Sequence, residues 1–312
     1  MRSFIDSHCD TITTIMRNNQ ELFKNESHVD LLRLKKYDNP VQFFAIWLEP
    51  FYYPQALKQT LVAIEFFHKE MSKYKDIISH VTTYTDILEN KKNNKISAFL
   101  SIEGGESLEG SIDILDVFYR LGVRAMTLTW NHKNLIGVGA EENDRNEGIS
   151  SFGKEVIKKM NNIGMIVDVS HICDRGFWDV IEETKMPIIA SHSNCRSICN
   201  VNRNLTDEQI KAIAKIEGVI GINFYPFFVN GTDKCTVEEI MNHIDHIINL
   251  VGDDYIGIGS DFDGISCVPT GLEDISKIDI LLDAIENRYG KSTAKKISEQ
   301  NYLRVIKKVL KK

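Results

Sequence analysis

The sequence predicts an α/β fold, a TIM-type (β/α)8 barrel that takes residues 1–312 as a single domain with the C-terminal helices packed on it. Three observations carry this expectation. Eight short apolar runs alternate with stretches of helical pattern, the rhythm of parallel strands joined by helical crossovers. No linker-like stretch interrupts that rhythm to mark a second domain. Residues able to bind metal or move protons follow the first, third, fifth, sixth and eighth runs. A closed barrel gathers those strand ends around one mouth, whereas an open doubly wound sheet spreads several of them apart.

The elements follow in order. Residues 2–6 (RSFID) form a short first strand that delivers His8 and Asp10, and residues 11–37 are polar, with helical stretches and no clear period. Residues 41–48 (VQFFAIWL) make the second strand. Pro54 opens a long helix to about residue 74, with Leu57, Leu61, Ile64 and Phe67 on one side. A further helix or paired turn covers 84–92, before a solvated NKKNNK loop. Strand three, 96–102, ends at Glu103-Gly104-Gly105, and a helix over 111–119 leads into strand four at 123–128. Residues 130–150 form a long loop rich in Gly, Asn and acids, a type that is usually functional or disordered.

The stretch 155–193 then reads helix, apolar strand, His171, helix, apolar strand, His192. Such a βαβ unit makes its strands parallel neighbours, so both imidazoles project from the same end of the sheet. Thr206 is positioned to cap a helix with Gln209 three residues on. Strand seven is 219–222, a helix covers 237–250, and strand eight, 255–259, ends at SDFDG. Two helices near 274–289 and 292–310 close the chain.

Composition narrows the function classes. The net charge of -7 gives no electrostatic reason for a nucleic-acid surface. No apolar span approaches bilayer length, and the N-terminus meets acids and histidine too early for a signal peptide. The six cysteines lack the density of a disulfide scaffold and read as free thiols, which points to a reducing cytoplasm.

His8-x-Asp10, Glu103, His171, His192 and Asp261 together offer three imidazoles and three carboxylates. Mixed nitrogen and oxygen donors suit Zn2+ and, less specifically, Mn2+, Co2+ or Fe2+. One carboxylate shared between two histidine-containing groups suggests a two-metal hydrolase. Singly, each residue also reads as a core histidine, a loop acid or a turn; their coincidence at strand ends of one barrel favours a site.

IDSHCD, SIEGGESLEG, LGVRAMTLTWN, GMIVDVSH, PIIASHSNCRSICNVNRN, GVIGINFYPFF and YIGIGSDFDG span the chain in order. In these segments the sequence resembles the membrane (renal) dipeptidase family of metal-dependent amidohydrolase-like barrels. The resemblance implies a zinc dipeptidase with two Zn2+ per subunit and a hydroxide bridging them. It makes His8 and Asp10 ligands of one zinc, His171 and His192 ligands of the other, and Glu103 the bridge. It gives Asp261 a place beside the bridging water and the substrate's amino group, and Arg203 the substrate's terminal carboxylate. Substrates with a C-terminal D-residue are expected too.

Two departures stand out. Ser7 replaces a glycine usual before the first histidine, and Trp130 stands where animal members have a pocket histidine, leaving His132 as the candidate to contact substrate. The C-terminus lacks an apolar tail, so lipid anchoring is not expected. Homodimerisation is common in the family. Two rival readings keep the barrel but assign it a cyclic amide, a lactone or another substrate, or a non-catalytic metal-binding role; an intact ligand set argues against the last.

Overall fold

A computed structural model describes residues 2–311. Nine strands form one sheet: β1 (Ile5–Asp6), β2 (Val41–Trp47), β3 (Ile78–Val81), β4 (Ile96–Glu103), β5 (Val123–Thr127), β6 (Ile166–Asp168), β7 (Ile189–Ala190), β8 (Val219–Ile222) and β9 (Ile256–Ile258). All pair in parallel. The circuit β1-β2-β4-β5-β6-β7-β8-β9 closes on β1, which gives the eight-stranded barrel expected.

The ninth strand is β3, additional to the eight expected. It pairs with the first half of β4, from Ile78↔Ile96 to Val81↔Phe99, while β5 takes the second half. β4 is long enough to hold both neighbours in succession, and its register shifts between Leu100 and Ser101.

Helices cover the outside of the barrel. The predicted Thr206–Gln209 capping box is present at the start of helix Asp207–Lys215. A 3-10 segment, Pro50–Gln55, precedes the helix Ala56–Lys73, which therefore begins later than Pro54. Its buried stripe is Ala56, Thr60, Ala63, Ile64, Phe67 and Met71, which leaves Leu61 exposed. Near the C-terminus Gly290 breaks helical geometry at φ 84°, a left-handed value that glycine adopts without a steric penalty.

The barrel floor is closed by the helix Asn301–Val309. Its Tyr302, Val305, Ile306 and Val309 pack with Ile5, Val41, Phe43, Phe99, Ile166, Ile189 and Val219. Tyr302 reaches inward until its hydroxyl lies 2.5 Å from Ser7 Oγ. Gly257 makes room for that ring, since a Cβ there would sit 2.1 Å from Tyr302 Cε2. With the floor sealed by apolar packing, polar chemistry is confined to the opposite mouth.

Candidate active site and metal centre

The segment after β1 is held rigidly between its neighbours. Asp10 N–H donates to Phe262 O at 2.9 Å, and Ala45 N–H donates to Cys9 O at 2.9 Å. Backbone pairing therefore continues past the strand and presents His8 and Asp10 at the mouth. Glu103 is the last residue of β4, while His171, His192 and Asp261 lie just beyond β6, β7 and β9. All six are buried. His171 and Asp261 adopt φ of 68° and 60°, left-handed values uncommon outside glycine and typical of residues held for function.

The six side chains form three overlapping groups: His8, Asp10 and Glu103; Glu103, His171 and His192; His8, His192 and Asp261. Within each group the donor atoms lie within 4.8 Å of one another. Glu103 is the hinge of the arrangement. Its Oε2 is 3.4 Å from His8 Nε2, and its Oε1 is 2.8 Å from His171 Nε2 and 3.4 Å from His192 Nε2. Asp10 Oδ2 and Asp261 Oδ1 stand 3.5 and 4.0 Å from His8 Nε2.

Hydrogen bonding fixes the histidine tautomers. Asn131 Oδ1, an acceptor, lies 2.7 Å from His171 Nδ1, so Nδ1 carries the proton. Ser191 Oγ donates to Asp168 Oδ2 at 2.5 Å and so accepts from His192 Nδ1 at 2.7 Å. Both Nε2 atoms are then bare lone pairs, yet they face each other at 2.8 Å. Two lone pairs at that separation repel unless a cation accepts them. His8 Nε2 and Asp10 Oδ1 are also buried without a hydrogen-bond partner. The residues present fit a pair of divalent ions, and the nitrogen and oxygen donors fit zinc.

Electrostatics reflect the crowding of buried charge in the cluster. Burial pushes Asp261 up to about 7, with Asp10 and Glu103 adding to the shift. Burial and Glu103 raise Asp10 to about 6. Burial also lowers His171 to about 4, with Arg203 nearby, and holds His192 well below its ordinary value. For His8 burial opposes the charged form, but Glu103 and Asp10 outweigh it and raise the pKa well above normal. Glu103 would likewise be raised by burial, but His8 and His171 hold it well below the usual carboxylate range.

The cluster opens into a cavity of about 430 Å³ whose lining includes Arg17, Trp47, Trp130, Glu141, Tyr225 and Phe228. Trp47 and Trp130 pack with ring centroids 5.2 Å apart, and Trp130 lies 6.2 Å from the His171 ring. Tyr225 and Phe228 line the cavity, whereas Phe227 and Tyr52 do not. The helical turn Pro226–Val229 directs Phe228 inward and leaves Phe227 exposed. His132 is absent from the lining; half-exposed on the rim, it faces Glu141 at 3.7 Å and Glu142 at 3.5 Å.

Arg203 is buried behind this mouth, under the Phe228 ring at 5.2 Å. Its Nη2 donates to His192 O at 3.3 Å, and its Nε has no partner. Among the described residues no carboxylate pairs with it. Asn223 went unnoticed in the sequence: it donates to Asp261 Oδ2 at 2.9 Å and is locked by reciprocal bonds with Asn194. Its place directly after the apolar strand VIGI was the only available signal.

A parallel barrel with a mixed His/Asp/Glu cluster at its mouth defines a metal-dependent hydrolase of the amidohydrolase-like kind. The chain belongs to the membrane dipeptidase family, peptidase family M19, whose sequence model matches residues 2–312. It is a metal-dependent dipeptidase. A Schizosaccharomyces pombe protein described as an uncharacterized dipeptidase is 34% identical over 310 residues, covering 90% of this chain and 74% of that one. The crystal structure of dipeptidase AC, an M19 metallopeptidase, superimposes with a TM-score of 0.92 at 25% identity, covering 99% of both chains. A Rhodobacter sphaeroides metallopeptidase, crystallised with a phosphinate mimic of the dipeptide L-Ala-D-Ala, shares the fold at a TM-score of 0.92 and 24% identity, again over 99% of both chains.

Proposed function

We propose that the enzyme cleaves free dipeptides by gripping both charged ends, and that it accepts a D-residue at the C-terminal position. The observation that carries this reading is Arg203, a buried guanidinium with one weak carbonyl contact and an unpartnered Nε. A buried cation without a counter-ion is costly, and a substrate carboxylate satisfies it through two parallel hydrogen bonds. The D-residue is supported by the L-Ala-D-Ala mimic bound to the Rhodobacter sphaeroides protein.

In this reading His8 and Asp10 would hold one metal ion and His171 and His192 the other, with Glu103 close enough to both groups to serve each. Bound zinc supplies Lewis acidity toward the scissile carbonyl and makes a water ionisable near neutral pH. Asp261, held by Asn223 from one side, is positioned to take the proton from that water and return it to the departing amine. The same carboxylate pairs with the substrate's ammonium group. Trp47 and Trp130 line the same cavity as Glu103 and offer the substrate an apolar wall. His132, facing Glu141 and Glu142, belongs to the rim and not to the cavity wall, so this reading does not use it to contact substrate.

No helix among the described residues is long and apolar enough to cross a membrane. All six cysteines are free thiols, which supports a cytoplasmic enzyme.

The test is a dipeptide library assayed on zinc-reconstituted protein, with a chelated control and N-acetylated or C-amidated forms of each hit. Cleavage should disappear with chelator and fall sharply when either terminus is blocked. Arg203→Ala should raise KM by about tenfold or more with kcat less affected. Asp261→Asn should retain metal but lose turnover by roughly 100-fold or more. Equal cleavage of blocked and free peptides would overturn the two-ended grip and redirect the search to cyclic amides and lactones.

A further inference from the structure

Arg203 sits in a loop that has no regular secondary structure, between Asn202 and Asn204. Loops of this kind position a recognition side chain only when their backbone is tied down. Asn204 anchors one side of this loop, its side chain donating to Cys199 O at 2.9 Å and Phe228 O at 2.8 Å, and two further ties come from one neighbouring cation. Arg196 Nε donates to Asn204 O at 2.8 Å, and its Nη2 donates to Asn202 O at 3.1 Å. One guanidinium therefore holds the carbonyls on both sides of Arg203. The Arg196 backbone N–H adds a bond to Leu205 O at 2.8 Å.

The remaining face of that guanidinium is fixed by Asp174 at the start of helix Asp174–Glu183. The pair is bidentate, with Nη1 to Oδ2 at 2.7 Å and Nη2 to Oδ1 at 2.8 Å. Gln209 Nε2 donates to the same carboxylate at 2.9 Å. Asn143 donates to Oδ2 at 2.9 Å and accepts from the Asp174 N–H at 2.8 Å. Asn143 lies in the loop that carries Asn131, the partner of His171, and Glu141 of the cavity wall. The two loops that frame the active site are thus joined through Asp174, which pairs with Arg196 and hydrogen-bonds with Asn143, and neither Arg196 nor Asp174 lines the active-site cavity.

We infer that the Arg196–Asp174 pair is a positioning clasp that sets the Arg203 guanidinium for the substrate carboxylate. The inference rests on the reading of Arg203 given above. The clasp touches no reacting atom, so it acts on substrate binding and leaves the bond-breaking step intact.

The experiment measures KM and kcat for one free dipeptide on zinc-loaded Arg196→Gln, Arg196→Lys, Asp174→Asn and Arg203→Ala, and on Arg196→Gln combined with Arg203→Ala. Arg196→Gln should raise KM by roughly 10- to 100-fold, the scale of a misplaced binding group, with kcat within about twofold. Arg196→Lys keeps the charge opposite Asp174 but lacks the planar fork that meets this carboxylate and both carbonyls at once, so it should fold and still show a raised KM. Asp174→Asn should show an intermediate rise. In the Arg203→Ala background, Arg196→Gln should change KM no further, as expected for residues acting through one contact.

An unchanged KM in both Arg196 variants, alongside a raised KM in Arg203→Ala, would overturn the clasp and spare the carboxylate reading. So would an Arg196 effect that persists without Arg203, or one that falls on kcat. An unchanged KM in Arg203→Ala would instead overturn the carboxylate reading, and the clasp with it.

Discussion

His171 and His192 meet through their unprotonated nitrogens at 2.8 Å because their other nitrogens are spoken for by Asn131 and Ser191. Ser191 is in turn oriented by Asp168, so a chain of three residues sets one metal-facing lone pair. Ser191→Ala breaks that chain without touching a ligand and should weaken zinc binding by roughly 10- to 100-fold, the usual cost of losing such a partner. Competition against a chromophoric chelator measures it, and unchanged affinity would remove Ser191 from the site. The ligand-type residues were legible in the sequence because each lies at or just beyond the end of a recognisable strand. Their partners were not. Asn131, Asn223 and Ser191 are small polar residues at strand ends or in loops, where their types are common; Asn131 and Asn223 meet the ligands through contacts between different strands, and Ser191, though next to His192, is oriented by Asp168 from another strand.

Among the elements, β3 escaped the sequence reading because ISHV offers only two apolar residues around a serine and a histidine. That histidine has its own consequence for stability. His80 packs edge-on against Phe67 at 5.0 Å and His68 at 5.3 Å, and its Nε2 lies 3.1 Å from Gly122 O. Gly122 is needed there, since it has φ 93° and a Cβ would fall 2.1 Å from His80 Cε1. Burial, helped by the His68 ring, lowers the His80 pKa to about 4, against about 6.5 when unfolded. The unfolded chain therefore binds the extra proton between those values. The contribution is fully present above about pH 6.5 and is lost as pH falls through 4, on the order of 3 kcal/mol at most. Denaturant unfolding of the native protein and His80→Gln across pH 4–7 should give curves whose difference narrows as pH falls. Parallel curves would mean that His80 titrates normally in the fold.

At the scale of the molecule, the cluster draws on strands from all around the circuit: β1, β4, β6, β7 and β9. Apolar packing on the floor and beneath the helices closes the barrel from the other end. The mouth, by contrast, crowds three carboxylates and three imidazoles with orphaned donor atoms among them. Ions bound there join strands that are distant in sequence, and the unfolded chain cannot reproduce that arrangement, so binding feeds directly into the stability of the whole barrel. Free zinc at 100 times its dissociation constant should add about 2.7 kcal/mol per independent site and raise Tm by about 5 °C or more. Apoprotein should still unfold cooperatively at a lower Tm, because the core beneath the mouth does not depend on the ions. Glu103→Gln removes the carboxylate that reaches both histidine groups, so its Tm should respond only weakly to zinc. Calorimetry of both proteins over a zinc titration makes the comparison. If native and Glu103→Gln proteins gain equally, the stabilising ions bind elsewhere and Glu103 does not join the two halves of the mouth.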